Sequence, residues 1–186
     1  MTIAIQTNQF SGIKTIIPSV HDDDRGFFSE LYNTKYLKEF NIQFESKQEN
    51  HSVSYKKNTL RGLHAQVPPF AQAKLVRCGN GSFLDVYVDI RKQSSTFLQW
   101  GCELLSSENR KQLLIPEGFL HGFLTYEDTT EIIYKCSNFY SPEHEISINF
   151  QDADFNIEWR LSDADHLSIS QKDLDAMAFV DFKNPF

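Results

Sequence analysis

Two histidines stand in short, apolar, glycine-punctuated stretches. His64 lies in Leu60-Arg61-Gly62-Leu63-His64-Ala65-Gln66, and His121 in Pro116-Glu117-Gly118-Phe119-Leu120-His121-Gly122-Phe123. Each stretch reads as a buried strand carrying one imidazole. As a residue type, histidine gains and loses a proton near neutral pH, so two of them in one concave site would suit proton chemistry. Arg61 is three residues from His64, and Lys74 begins the next apolar run. Arg, Lys and His converging inside a barrel would hold an anion within an acidic protein. In a strand, residues at even separations share a face. Arg61 and His64 therefore point apart unless the chain bends, and Gly62 permits a bend. Taken singly, each cation reads as readily as part of a solvated face. His121 reads equally as a satisfied core histidine, and Tyr134, between Ile133 and Lys135, as a packing residue.

The elements that must position these groups are short strands. Lys74 to Cys78 precedes Gly79-Asn80-Gly81, a hairpin signal, and Ser82 to Ile90 follows with apolar and polar residues alternating. Gln112 to Ile115 stops at Pro116, Glu131 to Cys136 is another strand, and Glu145 to Phe150 alternates again. Many short strands at this spacing predict an antiparallel sandwich or barrel. Helix is sparse: Asn33 caps one or two turns to Phe40, and Ser170 caps a short helix at Gln171-Lys172-Asp173. No linker, repeat or low-complexity stretch interrupts residues 1–186, so one domain is expected.

Bulk properties exclude several classes. The net charge of −7 makes nucleic acid and anionic membrane poor partners. The three cysteines, Cys78, Cys102 and Cys136, are odd in number and lack CxxC spacing, which reads as reduced thiols in a cytoplasmic protein. No signal peptide and no membrane span is expected. Gln66 stands two residues after His64, and no HxH or HxxxH pair occurs, so no metal is expected.

Several motifs, in order, resemble the RmlC-like family of dTDP-4-dehydrorhamnose 3,5-epimerases (dTDP-4-keto-6-deoxyglucose 3,5-epimerases). They are Asp23 to Glu30, Gln48 to Ser52, Leu60 to Gln66 with Pro68-Pro69, and Ala73 to Arg77. Further along come Asp85 to Lys92 with Ser95-Thr96-Phe97, Ile115 to Phe123, Tyr134 to Cys136, Leu167-Ser168 and Lys172-Asp173. The resemblance runs from about Asp23 to Asp173. It implies an all-β, cupin-type double-stranded β-helix (jelly roll) with a few short helices, working as a homodimer. It implies an isomerase that inverts C3 and C5 of a nucleoside-diphosphate-linked 4-keto-6-deoxyhexose. His64 would then be the proton acceptor, Asp173 its orienting partner and Tyr134 the proton donor on the opposite face of the sugar. Lys74 would lie near the 4-keto oxygen. Arg25, Phe28, Glu30, Gln48, Asn50, Arg61, His121, Glu145 and Lys172 would hold the substrate, and Tyr140 would stack on the base. The segment from Arg25 to Glu30 would reach into the partner subunit's site.

The chain departs from the family pattern in places. Ala65 stands where an aromatic residue is usual, Leu98 replaces a frequent glycine, and Arg160 follows Trp159 where proline is common. The turn Tyr55 to Thr59 is longer than usual and lacks its glycine. Ala65 and that turn are expected to reshape the sugar or base pocket. They leave two other enzymatic readings, a C3-only epimerase and an epimerase of another nucleotide sugar such as a GDP-linked one. A non-catalytic sugar-nucleotide-binding cupin is the reading from a different class.

Overall fold

The alternating apolar positions fold into thirteen strands among the described residues. The computed structural model describes residues 3–161 and 167–186. In chain order the strands are β1 (Ala4–Thr7), β2 (Lys14–Ile17), β3 (Val20–Asp23), β4 (Gly26–Ser29), β5 (Gln48–Ser54), β6 (Leu60–Gln66) and β7 (Lys74–Asn80). After them come β8 (Ser82–Asp89), β9 (Trp100–Ser106), β10 (Gln112–Ile115), β11 (Phe119–Thr125), β12 (Thr130–Cys136) and β13 (Glu145–Ser147). Two short helices complete the set: α1 (Thr34–Glu39), between β4 and β5, and α2 (Gln171–Leu174), after β13.

The strands form a six-stranded sheet, β1-β2-β10-β7-β12-β5, and a five-stranded sheet, β13-β6-β11-β8-β9, with β3-β4 as a separate ribbon. This is the all-β, cupin-type architecture. Between the two sheets, Val76, Cys78, Leu113 and Ile132 from one wall meet Phe83, Tyr87, Phe119 and Phe123 from the other. The outer face of the five-stranded sheet is covered as well. Leu63, Ala65, Val86 and Leu120 pack there under Ile148, Phe150, Phe155, Trp159 and Phe179 of the C-terminal third. Each fully buried side chain of this size contributes roughly 1.5–3 kcal/mol of apolar transfer.

Both helix caps form where expected. The Asn33 side chain accepts from the Lys35 N–H, and the Ser170 side chain accepts from the Asp173 N–H.

Three expectations are corrected, and one strand is buried on both faces. Gly79-Asn80-Gly81 does not close a hairpin: β7 pairs with β10 and β12, whereas β8 pairs with β9 and β11. The turn carries the chain from one sheet to the other, with Gly81 at φ +76°. A period of two gives the face of a strand but not the sheet it joins. The polar positions of β8 do not face water: Asp85 and Asp89 are both 0% exposed, because both faces of that sheet are covered. The strand expected over Glu145 to Phe150 stops at Ser147, where Ile148 and Phe150 turn into the outer core. Ala65 does not line the site. It alternates away from His64 and packs in the outer core, so the small side chain bears on packing rather than on the sugar pocket.

Candidate active site

A cavity of about 190 Å³ lies between the sheets, lined by Ser52, Arg61, His64, Lys74, His121, Gly122, Phe123, Ile132 and Tyr134. Its two walls have different origins. Strands β5, β7 and β12 of the six-stranded sheet contribute Ser52, Lys74, Ile132 and Tyr134. Strands β6 and β11 of the five-stranded sheet contribute Arg61, His64, His121 and Phe123. His64 and Tyr134 therefore stand on opposite sides of one space.

The bend that Gly62 permits does occur. In the β6–β11 pairing His64 faces His121 and Arg61 faces Phe123, so β6 uses three steps where β11 uses two. The extra residue is a bulge, and it turns Arg61 and His64 toward the same cavity. Gly62 sits at φ +118°, and a Cβ there would come within 2.6 Å of the Gly122 Cα. Only glycine fits both the backbone angle and the close approach.

A second hollow of about 480 Å³ shares Arg61 and His64 and extends past Thr59, Ser168, Ser170, Lys172 and Asp173. The C-terminal chain is stitched to the start of β6 here. The Leu60 N–H donates to the Ser168 carbonyl at 2.9 Å, and the Ser168 N–H to the Asn58 carbonyl at 2.9 Å. This return places Asp173 against His64, with Nε2 and Oδ1 2.6 Å apart. Burial alone would raise the Asp173 carboxyl. Hydrogen bonds from His64, from the Ser170 hydroxyl at 2.9 Å and from the Gly62 backbone outweigh it and hold the group below the usual carboxylate range. A carboxylate accepts the Nε2 proton, which leaves Nδ1 as the nitrogen with the free lone pair.

His121 has its own carboxylate. Its Nε2 hydrogen-bonds Asp85 Oδ1 within the five-stranded sheet, and both residues are buried. Burial pushes His121 below the ordinary histidine value, with Lys74 and His64 adding to the shift and Asp85 opposing it. Asp85 Oδ2 is buried without a hydrogen-bond partner. Asp89, in the same strand, differs: Arg91, Ser94 and Thr96 satisfy its carboxylate. Burial lowers the Lys74 ammonium, opposed by the charges of Cys136, Asp85 and Glu145. Burial raises the Tyr134 hydroxyl, so it stays protonated well past neutral pH.

At the rim, five expected residues form one chain of contacts. Gln48 donates to Asn50 Oδ1 at 2.9 Å and accepts from the Tyr140 N–H at 2.8 Å. The Tyr140 hydroxyl donates to Glu145 at 3.1 Å, and Lys172 donates to the same carboxylate oxygen at 2.5 Å. Tyr140 keeps an exposed ring, at 54%, free to stack. Arg25, Phe28 and Glu30 do not join this group. Arg25 pairs with Asp23 on the β3-β4 ribbon, Phe28 is exposed beside it, and Glu30 accepts from Asn33.

Among the described residues, no group of three or more His, Cys, Asp or Glu side chains lies close enough to hold a metal ion. No described helix is long and apolar enough to cross a membrane. The sequence reading missed roles for Asp85, Ser52 and Ser170 in building the site. For Asp85 a signal existed, an acid at the inward position between Phe83 and Tyr87. For Ser52 and Ser170 it did not, since serines at such positions are common everywhere.

A family model described as dTDP-4-dehydrorhamnose 3,5-epimerase matches residues 7–181. The protein of that name from Salmonella typhimurium is 48% identical over 171 residues, covering 90% of this chain and 91% of the relative. The solved dTDP-4-dehydrorhamnose 3,5-epimerase of Elizabethkingia anophelis superposes with a TM-score of 0.89 at 40% identity, covering 98% of each chain. The dTDP-6-deoxy-D-glucose-3,5-epimerase of Legionella pneumophila, solved in complex with dTDP-4-keto-L-rhamnose, gives 0.89 at 39% identity, covering 95% of this chain and 93% of its own. A jelly roll whose facing sheets put an imidazole and a phenol across one cavity defines a cupin-type isomerase acting on carbohydrates. Within that class, the chain belongs to the dTDP-4-dehydrorhamnose 3,5-epimerase family.

Proposed function

We propose that this chain inverts C3 and C5 of dTDP-4-keto-6-deoxyglucose, with no metal or other cofactor. The observation that carries the reading is the placement of His64 and Tyr134 on facing sheets around one cavity that also holds Lys74. A 4-keto group acidifies the C–H bond on each neighbouring carbon. His64 Nδ1 takes that proton, and the electron pair moves into an enolate. Asp173 favours the imidazolium that results. Lys74 donates to the enolate oxygen, an interaction that supplies several kcal/mol in a water-poor site. Tyr134 then returns a proton from the other wall, and the centre inverts. Exchange with water resets both groups before the second carbon reacts.

Arg61, His121 and Lys172 supply cationic or donor contacts, and Tyr140 a stacking surface, with Gln48, Asn50 and Glu145 holding the rim in place. The ligand in the Legionella relative favours thymidine as the nucleoside. We assign Arg25, Phe28 and Glu30 to the site of a partner subunit. The ribbon exposes both Phe27 and Phe28, and neither Arg25 nor Glu30 reaches the cavity of its own chain. A cytoplasmic homodimer of single-domain chains accords with these features. Light scattering that returned a monomer at full activity would overturn the dimer.

The test is incubation with dTDP-, GDP- and CDP-linked 4-keto-6-deoxyhexoses in heavy water, followed by NMR. Deuterium at both C3 and C5 of the dTDP sugar, with inversion, is expected. Exchange confined to C3 would make it a C3 epimerase. Binding without exchange would leave a sugar-nucleotide carrier.

A further inference from the structure

The cavity contains one hydroxyl that no step above uses. Ser52 lines it from β5, and the Ser52 Oγ is buried without a hydrogen-bond partner. A buried hydroxyl left unpaired is costly, and removing it is neutral or favourable. The cost makes sense if the partner arrives with the substrate.

We infer that Ser52 is a specificity-determining contact that hydrogen-bonds a ring hydroxyl of the bound 4-ketohexose. The inference rests on the nucleotide-sugar reading and assigns one further group within the same site. The register gives its place. Along β5–β12, Asn50 faces Tyr134 and Ser52 faces Ile132. Ser52 and Tyr134 are thus diagonal neighbours on the inner face of one sheet, close enough for both to touch a single hexose ring. Ser52 approaches the sugar from the proton-donating wall, opposite His64. The nucleotide rim lies elsewhere, at Tyr140, Glu145 and Lys172. The contact therefore reads the sugar and not the thymidine diphosphate. Ser54, two residues on, is an internal control. Its Oγ is also buried and unpartnered, but Ser54 does not line the cavity.

The experiment compares wild type, Ser52→Ala and Ser54→Ala in three measurements: thermal unfolding, calorimetric affinity for dTDP and for dTDP-glucose, and kcat/KM on dTDP-4-keto-6-deoxyglucose. For Ser52→Ala we expect an unchanged or raised Tm and dTDP affinity within twofold of wild type. We also expect roughly a three- to thirtyfold loss in dTDP-glucose affinity and in kcat/KM, the range for one hydrogen bond in a closed site. Ser54→Ala should leave both affinities unchanged. Equal loss for dTDP and dTDP-glucose, a Tm lowered by several degrees, or no loss with either ligand would overturn the assignment. If wild type itself fails to turn over the 4-ketosugar, the functional reading falls. If wild type turns it over and Ser52→Ala matches it, only the Ser52 assignment falls.

Discussion

Two histidine–carboxylate pairs sit side by side in one sheet, yet they are built for different work. His64 and His121 are register partners across β6 and β11. The carboxylate of His64 comes from 109 residues away, on α2, and that of His121 from 36 residues away, on β8 of the same sheet. The His64 side chain is 25% exposed and lines both hollows, whereas that of His121 is 9% exposed and lines only the inner one. Asp173 is held charged by three donors, whereas Asp85 keeps one oxygen unpartnered. A base must exchange its proton with solvent between turnovers. The half-open pair can do this, and the more deeply buried pair is fitted to present a fixed donor from the cavity wall. Chemical type is identical in the two pairs, so the difference comes from burial and from what satisfies each carboxylate.

The comparison breaks most directly at the rings themselves. His64→Ala should lower kcat by about 10²–10⁴-fold and abolish solvent deuterium exchange beside the ketone. His121→Ala should retain measurable exchange; if the two variants reversed, the base would be His121. Tyr134→Phe probes the facing wall. It should cut inversion by on the order of 10²-fold while deuterium wash-in continues, and equal loss of both would remove Tyr134 from the donor role.

The carboxylates sharpen the contrast at smaller amplitude. Asp173→Asn should cost on the order of 10² in kcat by disturbing the tautomer. Asp85→Asn should act mainly on stability, by about 1–3 kcal/mol in urea denaturation, because it lies within a closed sheet. The folded-state value of Asp173 is lowered, so its contribution to stability is present above the usual carboxylate range. It is lost as the pH falls through the lowered value. The stability gap between wild type and Asp173→Asn should accordingly close in acid. A gap that widened there would contradict the charged carboxylate.

The smallest expected effect is a displaced pH profile. Burial lowers Lys74, so its ammonium is present below the ordinary lysine value and is lost as the pH rises through the depressed one. Tyr134 moves the other way and keeps its proton over that range. The alkaline limb of kcat/KM therefore belongs to Lys74. Lys74→Arg should push that limb upward, since a guanidinium stays charged past pH 12. An unmoved limb would assign it to another group near the cavity, such as Cys136.

Much of the site could be read in the residues. The caps at Asn33 and Ser170, most strand positions and the anion-binding character of the cleft follow from side-chain chemistry and a period of two. The exchange of sheets at Gly79-Asn80-Gly81 could not, because both flanking strands carry the same alternation in either sheet. Asp85 reads as a solvent-facing acid until the six-stranded sheet is seen to close over the face it shares with Phe83 and Tyr87. Ala65 beside His64 looks like a pocket residue until the pleat sends it to the opposite face.

The sequence by itself determined which functional groups exist and, wherever a strand runs without a bulge, which face carries them, because alternation and capping are local properties of backbone and side chain. The tertiary structure alone decided which groups meet: Asp173 on His64 rather than solvated, Tyr134 across from the base, Arg61 turned inward by one bulge. Those meetings depend on sheet order, register and a C-terminal return of more than a hundred residues. All three are set by the burial of whole surfaces and not by any short stretch of chain.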